Sequence, residues 1–263
     1  MHFVEANGGV AHFADEGPRA GRAVVFINSL GTDFRIWDDV VAPLASKKRV
    51  VRFDKRGHGL STHETAAGAI ADFALDLASL LDHLGAGAAT IVGLSIGGLI
   101  ALELYRLRPD LVASLVVCDT GHKIGTREIF SARVEAVEKG GIEAIAEGVL
   151  QRWFTADYRK NYPVEMAGWR AMLTRTPRHG YIAACRAIGE ADLTATAKAV
   201  RVPTLVIVGD QDASTPPELA REMAALIPGA KLEIVARAGH LPCIERPDAL
   251  HVLLEAHLKE VAP

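Results

Sequence analysis

The sequence predicts an α/β fold with a mostly parallel, twisted sheet of about eight strands, flanked by helices. Short runs rich in β-branched residues alternate with stretches of helical apolar spacing along most of the chain. Alternation of this kind is typical of doubly wound sheets with right-handed crossovers. The pattern is interrupted between residues 122 and 200, where only helical spacing is present. We therefore expect one sheet with a helical insertion after its sixth strand.

The first six strands are predicted from two kinds of pattern. HFVEA and VAHFAD flank Asn7-Gly8-Gly9, which is a hairpin signal. The next apolar runs are continuous, as expected of parallel strands that are buried on both faces. These runs are AVVFIN at 23–28, RVVRFD at 49–54, ATIVGLS at 89–95 and SLVVCDT at 114–120. Helical spacing between them predicts helices near 34–46, 67–84 and 97–107.

The second half of the chain contains the insertion and the last two strands. Its helical stretches are REIFSARVEAVEKGG, IEAIAEGVLQRWF, PVEMAGWRAMLTRT and YIAACRAIG. Strands return with TLVIVGD (204–210) and KLEIVAR (231–237), and helices are expected near 217–226 and 247–260. We predict a core formed by residues 1–121 and 201–263, with residues 122–200 as a helical cap over one edge of the sheet. An ordinary α+β segment is the alternative for 122–200.

Composition argues against several classes of protein. The 263 residues suit one sizeable domain with an insertion, and the net charge of −3 is scattered, without a basic stripe that would bind nucleic acid. The N-terminus does not resemble a signal peptide, and no apolar run is long enough for a membrane span. The three cysteines are widely spaced, which favours buried thiols in a reducing compartment. We expect a cytoplasmic protein without a nucleic-acid, membrane or obligate protein partner.

Ser95 lies at the junction of a predicted strand and a predicted helix, within GLSIG. A strand that turns directly into a helix needs small residues two positions either side of the apex, and Gly93 and Gly97 meet that need. The apex residue is strained, and its side chain points out over the sheet edge. The N-terminus of the following helix favours developing negative charge. We predict Ser95 as a nucleophile, and the alternative is a purely structural turn.

Two further side chains are predicted to complete a catalytic triad. His240 ends KLEIVARAGH at the carboxyl end of a strand, and we expect no helix to begin at Pro242. A histidine at that edge can take the proton of a serine hydroxyl. Asp212 is our candidate for the orienting carboxylate, because it lies far enough along its loop to reach a neighbouring loop. Asp210 and Asp119 are the alternatives, and Asp210 is expected to tie the loop backbone instead.

An oxyanion hole requires two donors aimed at the developing charge. The main-chain N–H of Ile96, directly after the serine, is the first candidate. The second is the N–H of Leu30 in the loop NSLGT after AVVFIN, where Gly31 lets the chain fold closely.

These motifs resemble the α/β-hydrolase superfamily over nearly the whole chain. GLSIG resembles its nucleophile elbow, GDQD its acid loop and AGHLPCIERPD its histidine loop. DKRGHGLS (54–61) resembles its DxRGxGxS loop, and we assign Asp54, Arg56 and His58 no catalytic role. Many members carry His-Gly before the oxyanion residue, whereas this chain has NSLG. NSLGTDFRIWD together with FDKRGHGLS is most similar to the 3-oxoadipate enol-lactonase family of the β-ketoadipate pathway.

The resemblance implies a serine hydrolase that opens the ring of a carboxylate-bearing enol-lactone through an acyl-enzyme, with water as the second substrate. It implies neither a metal nor an organic cofactor. A substrate carboxylate favours a cation in the pocket. The candidate cap arginines are Arg127, Arg133, Arg152, Arg170, Arg175, Arg178 and Arg186. Arg133 and Trp153 are our choices because both fall on apolar helical faces; Trp37 is either a pocket wall or a helix anchor.

Other functions remain open from sequence. A general carboxylesterase has the same motifs. A carbon–carbon bond hydrolase usually carries an HGxGPG oxyanion loop, which this chain lacks. Ser95 excludes a haloalkane dehalogenase, which needs an aspartate at the elbow. A small-molecule receptor that keeps the triad is the non-enzymatic alternative, and steady-state turnover would distinguish it from an enzyme.

Overall fold

The computed structural model describes residues 2–63 and 68–262, and it contains one open sheet of nine strands. The strands are β1 (His2–Ala6), β2 (Gly9–Glu16), β3 (Val24–Ile27), β4 (Val50–Phe53), β5 (Thr62–His63), β6 (Ala89–Leu94), β7 (Val112–Cys118), β8 (Thr204–Gly209) and β9 (Lys231–Val235). Eight of them follow the order β1-β2-β4-β3-β6-β7-β8-β9, and β5 pairs with β2. The β1–β2 and β2–β4 pairs are antiparallel, and the sheet is parallel from β4 to β9. The predicted fold class is confirmed.

Strand β5 was not predicted. It has two residues, which pair antiparallel with Gly9 and Val10 of β2. A two-residue strand carries no periodicity that a sequence pattern can reveal. The helical insertion therefore follows β7, which is the sixth of the eight longer strands.

Helices flank this sheet. They are α1 (Asp38–Ala45), α2 (Ile70–His83), α3 (Ile96–Leu107), α4 (Arg127–Gly140), α5 (Glu143–Trp153), α6 (Ala156–Asn161), α7 (Pro163–Thr174), α8 (Arg178–Glu190), α9 (Thr194–Ala199), α10 (Pro217–Leu226), α11 (Pro242–Glu245) and α12 (Pro247–Glu260). The helix predicted from 34 divides into a 3₁₀ turn, Phe34–Trp37, and α1. The predicted start of α2 at residue 67 lies outside the described residues. Within those residues, no helix has the length and apolar character needed to span a bilayer.

Helix α11 corrects the expectation that no helix begins at Pro242. Proline is its first residue. At that position a helix needs no N–H from the residue, and the fixed φ of proline is already suited to the helix.

The central strands are buried on both faces, which explains their continuous apolar runs. Every residue of β3, β4, β6 and β8 is buried. Their carboxyl ends meet at one edge of the sheet, because the strands are parallel. The loops that follow β3, β6, β7 and β8 therefore converge at that edge.

Residues 122–200, which we call the cap segment, contain six helices and no strand. The segment contacts the core loops at the carboxyl edge of the sheet. A Cβ added to Gly31 would lie 2.6 Å from Leu173 and 3.1 Å from Tyr181. The main-chain N–H of His240 donates to the carbonyl of Trp153 at 2.9 Å. The division of the chain into domains at 121 and 200 stays a prediction.

Candidate active site

Ser95 connects β6 to α3 with a backbone φ of +58°. This conformation is unfavourable for a residue with a side chain, and such residues cluster at functional sites. A Cβ on Gly93 would lie 2.2 Å from the carbonyl oxygen of Gly97, and one on Gly97 would lie 2.5 Å from the carbonyl oxygen of Ile27. Both positions therefore require glycine, for the reason inferred from the GLSIG pattern.

Thr120, which sequence reasoning did not single out, supports this turn from the loop after β7. Its hydroxyl donates to the carbonyl oxygen of Ser95 at 2.7 Å. Its methyl group leaves no room for a side chain at Gly98, where a Cβ would lie 2.5 Å from it. The main-chain N–H of Ser95 also donates to the carbonyl of Cys118 at 2.9 Å. The backbone at Ser95 is thus held by β7 and by the loop that follows it.

His240 and Asp212 form a buried pair. The Nδ1 atom of His240 lies 2.9 Å from Oδ2 of Asp212. Because Nδ1 is engaged, Nε2 is the ring nitrogen that can meet a serine hydroxyl. Asp212 also accepts from the hydroxyl of Thr215 at 2.6 Å and from the main-chain N–H groups of Ser214 and Thr215. Thr215 was not predicted, although a threonine three residues after an aspartate is a common turn pattern.

The same contacts keep Asp212 ionised. Burial raises the pKa of this carboxyl, but His240 and Thr215 outweigh burial, so that the pKa lies below its usual value. An ionised Asp212 can hold the ring of His240 in one orientation and stabilise its protonated form.

Asp210 and Asp119, the two alternative carboxylates, accept hydrogen bonds from main-chain N–H groups. Asp210 accepts from the main-chain N–H of Ala238 at 3.2 Å and so ties two loops together, as its position suggested. Asp119 accepts from the main-chain N–H of Gly209 at 2.9 Å through Oδ1. Its Oδ2 atom is buried without a partner among the described residues. Burial and the neighbouring charge of Asp212 raise the pKa of Asp119 well above its usual value.

Asp119, Asp212 and His240 could each offer one ligand atom to a metal ion, and these atoms lie within 4.8 Å of one another. The ring nitrogen and the carboxylate oxygen of the His240–Asp212 pair are already at hydrogen-bonding distance. A metal ion bound by both atoms would have to displace the proton of this hydrogen bond, because metal ligands bind in their deprotonated form. The expectation of a site without metal or cofactor stays a prediction.

The two expected oxyanion donors lie at the beginning of α3 and in the loop after β3. Ile96 is the first residue of α3, so its N–H has no partner within the helix. Leu30 lies in the loop after β3, and its N–H donates to no main-chain carbonyl within residues 2–63 and 68–262. Leu30 lines the same cavity as Ser95.

A cavity of about 250 Å³ lies between the core loops and the cap segment. Ser95 and His240 both line it. The core also contributes Ser29, Leu30, Ser214 and Thr215, and the cap segment contributes Ile129, Phe130, Arg133, Val149, Arg152, Trp153, Tyr181 and Ile188. A cavity of this kind, largely apolar with a few convergent polar groups, is typical of a small-molecule site.

Of the three predicted substrate-binding residues, the structure brings two to the cavity. Arg133 and Trp153 line it. Trp37 does not: its side chain is 0% exposed and its ring centroid lies 5.0 Å from that of Phe26. The pocket-wall expectation for Trp37 is therefore corrected in favour of the helix anchor, because the 3₁₀ turn Phe34–Trp37 directs it into the core beneath β3.

Arg152 and Tyr181 also line the cavity, although sequence reasoning did not choose them. Burial and the nearby guanidinium of Arg133 lower the pKa of Arg152. Burial raises the pKa of Tyr181, so its hydroxyl stays neutral. Arg152 was one of the seven candidate cap arginines, whereas Tyr181 was not singled out.

Four of the other cap arginines already have acceptors on glutamates. Arg127 pairs with the carboxylate of Glu190, Arg170 with that of Glu147 and Arg186 with that of Glu138, whereas Arg178 donates to the main-chain carbonyl of Glu138. Arg133 and Arg152 have no carboxylate partner among the described residues, and no described aspartate or glutamate lines the cavity. The cavity wall therefore carries two guanidinium groups whose charge is not balanced locally.

Comparison with known proteins identifies the family. Residues 24–251 match the family model described as the alpha/beta hydrolase family. The chain belongs to this family, and the expectation of an enzyme of the hydrolase class is confirmed.

Individual relatives show which members of this family the chain resembles. Two proteins of Acinetobacter baylyi, 3-oxoadipate enol-lactonase 2 and 3-oxoadipate enol-lactonase 1, are 32% and 34% identical to the chain. These alignments cover 94% and 93% of the chain and 92% and 91% of the relatives. The crystal structure of the enol-lactonase from Burkholderia xenovorans has a TM-score of 0.95 at 36% identity, covering 98% of this chain and all of that one. A thermophilic esterase from Thermogutta terrifontis, in a malate-bound structure, has a TM-score of 0.94 at 30% identity over the full length of both chains.

Proposed function

We propose that this protein is a serine hydrolase that opens the lactone ring of 3-oxoadipate enol-lactone to give 3-oxoadipate, as in the β-ketoadipate pathway of aromatic catabolism. The observation that carries the proposal is the cavity between Ser95 and the paired His240 on one side and two uncompensated guanidinium groups on the other. The similarity to enol-lactonases over more than 90% of the chain supports the same substrate.

In the first half of the reaction, the Oγ atom of Ser95 attacks the lactone carbonyl, and His240 takes the hydroxyl proton on Nε2. Asp212 stabilises the resulting imidazolium. The N–H groups of Leu30 and Ile96 stabilise the negative charge on the tetrahedral intermediate. When the intermediate collapses, the ring C–O bond breaks and the enol oxygen leaves with the proton from His240. The enol then tautomerises to the ketone while it stays attached through the acyl group.

In the second half, His240 removes a proton from water, which attacks the acyl-enzyme. Collapse of the second intermediate returns the proton to Ser95 and releases 3-oxoadipate. No metal or organic cofactor enters either step.

The substrate carries one carboxylate that does not react. We assign it to Arg133 and Arg152, because a guanidinium forms strong, charge-assisted hydrogen bonds with a carboxylate. The pKa of Arg152 is lowered by burial and, to a smaller extent, by repulsion from Arg133, and a bound anion would relieve that repulsion. Trp153 supplies an apolar wall for the ring.

A carboxylesterase for other esters is the second candidate, and the likeness to the Thermogutta terrifontis esterase favours it. The two candidates differ in what the cavity arginines contribute. They would bind the carboxylate of the lactone, whereas an uncharged ester has no group for them to bind. The general triad chemistry is common to both.

The deciding measurement is kcat/KM for the enol-lactone, generated in solution from 4-carboxymuconolactone, against kcat/KM for p-nitrophenyl acetate. We expect the lactone to be preferred by about 100-fold or more, and Ser95→Ala to abolish both activities while the protein stays folded. The double variant Arg133→Gln/Arg152→Gln should lower kcat/KM for the lactone by about 10–100-fold, the usual cost of losing a charge-assisted contact. Its activity on the uncharged ester should change little.

Arg170→Gln is the matched control, because this cap arginine faces Glu147 instead of the cavity. Its lactone activity should equal that of the unmodified protein. A preference for the uncharged ester, or equal sensitivity of both substrates to the double variant, would favour the esterase. Full activity of Ser95→Ala would refute the triad mechanism for both candidates.

We also retain the cytoplasm as the proposed location. Cys118, Cys185 and Cys243 are buried free thiols, which is the usual state of cysteine in a reducing compartment.

A further inference from the structure

Lys55 is a buried lysine directly beneath the loop that carries the expected oxyanion donor. Its side chain is 1% exposed. The Nζ atom donates to the main-chain carbonyl oxygen of Ser29 at 2.5 Å. Within the described residues no carboxylate lies at ion-pairing distance from it; Asp33 and Asp54 act on its charge only from farther away. Burying an ammonium group without an ion pair is costly.

The cost is evident in the ionisation of Lys55. Burial lowers its pKa to about 7, although the charges of Asp33 and Asp54 oppose that shift. His58, which is fully buried nearby, adds no compensating charge, because burial and Lys55 hold its pKa well below the usual value. An apolar side chain of similar volume would fill this space without the desolvation cost. The contact between Lys55 and Ser29 therefore requires an explanation other than packing.

The carbonyl that Lys55 contacts belongs to the same peptide group as the N–H of Leu30. In a trans peptide these two groups point in opposite directions, and no cis peptide occurs in the described residues. Holding the carbonyl of Ser29 toward Lys55 therefore directs the N–H of Leu30 away from Lys55. Leu30 and Ser29 both line the cavity that contains Ser95.

The Ser29 carbonyl oxygen has two further donors. The hydroxyl of Thr32 donates to it at 2.9 Å, and the main-chain N–H of Thr32 does so at 3.3 Å. Three donors on one oxygen fix the plane of the peptide group. Only Lys55 among them can carry a full charge, and a cation at the carbonyl polarises the peptide so that its N–H becomes a stronger donor.

We infer that Lys55 is a positioning residue of the oxyanion hole, whose ammonium group orients and polarises the Ser29–Leu30 peptide so that the Leu30 N–H can stabilise the tetrahedral intermediate. The inference rests on the proposed serine-hydrolase function, and it deepens that function by adding a residue from the DKRGHGLS loop, which was assigned no role in the chemistry. Lys55 does not touch the substrate and acts only through the peptide group.

The test uses Lys55→Met, which keeps an unbranched apolar stem and removes the charged ammonium group, and Lys55→Gln, which keeps a neutral donor. Each is assayed on p-nitrophenyl acetate as well as on the enol-lactone, so that the result does not depend on which substrate is native. We expect Lys55→Met to lower kcat by about 10–100-fold, somewhat less than the loss of an oxyanion donor, with KM changed by less than about threefold. Lys55→Gln should lie between Lys55→Met and the unmodified protein.

A second readout separates the oxyanion hole from the rest of the site. A trifluoromethyl ketone, which forms a tetrahedral adduct with a reactive serine, should bind Lys55→Met more weakly by about the same factor as the loss in kcat. Adipate, which forms no adduct, should bind both proteins equally well. Lys48→Met is the control for loss of a lysine, because Lys48 is exposed on the surface, and it should leave every value unchanged.

The pH profile is the third readout, since a merely structural lysine would not alter it. The ratio of kcat between the unmodified protein and Lys55→Met should be largest near pH 6, where Lys55 is charged, and should shrink as pH rises through about 7. Among the described residues, Asp33, Asp54 and His58 are the ionisable groups that interact with the charge of Lys55, and they are unchanged in the variant.

Unchanged kcat in both Lys55 variants would overturn the inference. So would a loss of kcat that disappears when rates are divided by the folded fraction, measured by circular dichroism. If Lys55→Met does not fold, Lys55→Gln decides the matter by the same criteria. Failure of the proposed function is visible separately, because it would appear as undiminished activity in Ser95→Ala.

Discussion

The three aspartates around His240 differ in what stabilises their charge. Asp212 accepts three hydrogen bonds from the Ser214–Thr215 turn and contacts the His240 ring. Asp210 faces a main-chain N–H of the histidine loop. Asp119 has one main-chain donor and a pKa raised by burial, so it retains a proton more readily than Asp212 does. An orienting acid must be ionised near neutral pH, which favours Asp212 over Asp119.

These differences predict a ranking of asparagine substitutions. Asp212→Asn should lower kcat by about 10³–10⁴-fold, since the amide cannot stabilise the imidazolium. Asp210→Asn and Asp119→Asn should each cost less than about tenfold, because the first acts on the backbone and the second already resembles a neutral acid. Steady-state kinetics on all three purified variants tests the order. A larger loss in Asp119→Asn or Asp210→Asn than in Asp212→Asn would assign the acid to that residue instead.

At the scale of elements, the turn from β6 to α3 combines a strained serine with glycines in close contact with neighbouring backbone. Gly97 packs against the carbonyl of Ile27 at the end of β3. The turn therefore links the strand before Ser95 to the strand that leads into the loop of Leu30. Close approach of this kind is possible only without a side chain.

A pair of glycine-to-alanine substitutions tests that contact. Gly97→Ala should destabilise the protein by about 1–3 kcal/mol, as overpacking does, and should displace Ser95 and lower kcat. Gly148→Ala is the matched control within α5, where an added Cβ meets nothing within 4 Å. It should stabilise by about 0.5–1 kcal/mol with unchanged activity, because alanine is the better helix former. Urea unfolding would measure both, and equal stability of the two variants would contradict the close packing at Gly97.

Elements of different length were predictable to different degrees. Helix α12 and helix α10 begin and end where their patterns indicated, since each has several turns of apolar spacing. Strand β5 and helix α11 escaped prediction. Both are short, and their formation depends on neighbouring structure. Strand β5 forms because it pairs with β2, and helix α11 forms where the loop after His240 ends. Local pattern is informative only over segments long enough to repeat it.

At the scale of the whole molecule, the cap segment is bonded to the loop that carries His240. The carboxylate of Glu245 accepts from the main-chain N–H and the hydroxyl of Thr155 in the cap segment, at 3.0 and 2.7 Å. It also accepts from the main-chain N–H of Gly239 at 2.6 Å. A ligand in the cavity would contact both parts of the molecule and thus hold them together further.

This arrangement predicts that a dicarboxylate stabilises the whole protein. Adipate at 100 times its Kd should add about 2.7 kcal/mol to the free energy of unfolding. That corresponds to a rise in Tm of about 5–10 °C for a chain of this size. The rise should be largely lost in Arg133→Gln/Arg152→Gln and retained in Arg170→Gln, as measured by differential scanning calorimetry. An equal rise in both variants would place the anion outside the cavity.

The sequence by itself determined the sheet, the helical insertion, the GLSIG turn and the loops that bring Ser95, Asp212 and His240 to one edge. It could do so because parallel strands end at the same edge, and because turns and buried strands have local residue requirements. Only the tertiary structure decided that Arg152 joins the predicted Arg133 at the cavity, that Trp37 lies in the core, and that Lys55 contacts the carbonyl of Ser29. These placements depend on how segments distant in the chain pack against one another, and side chains of the same type on similar helices carry no local signal of which neighbour they will meet.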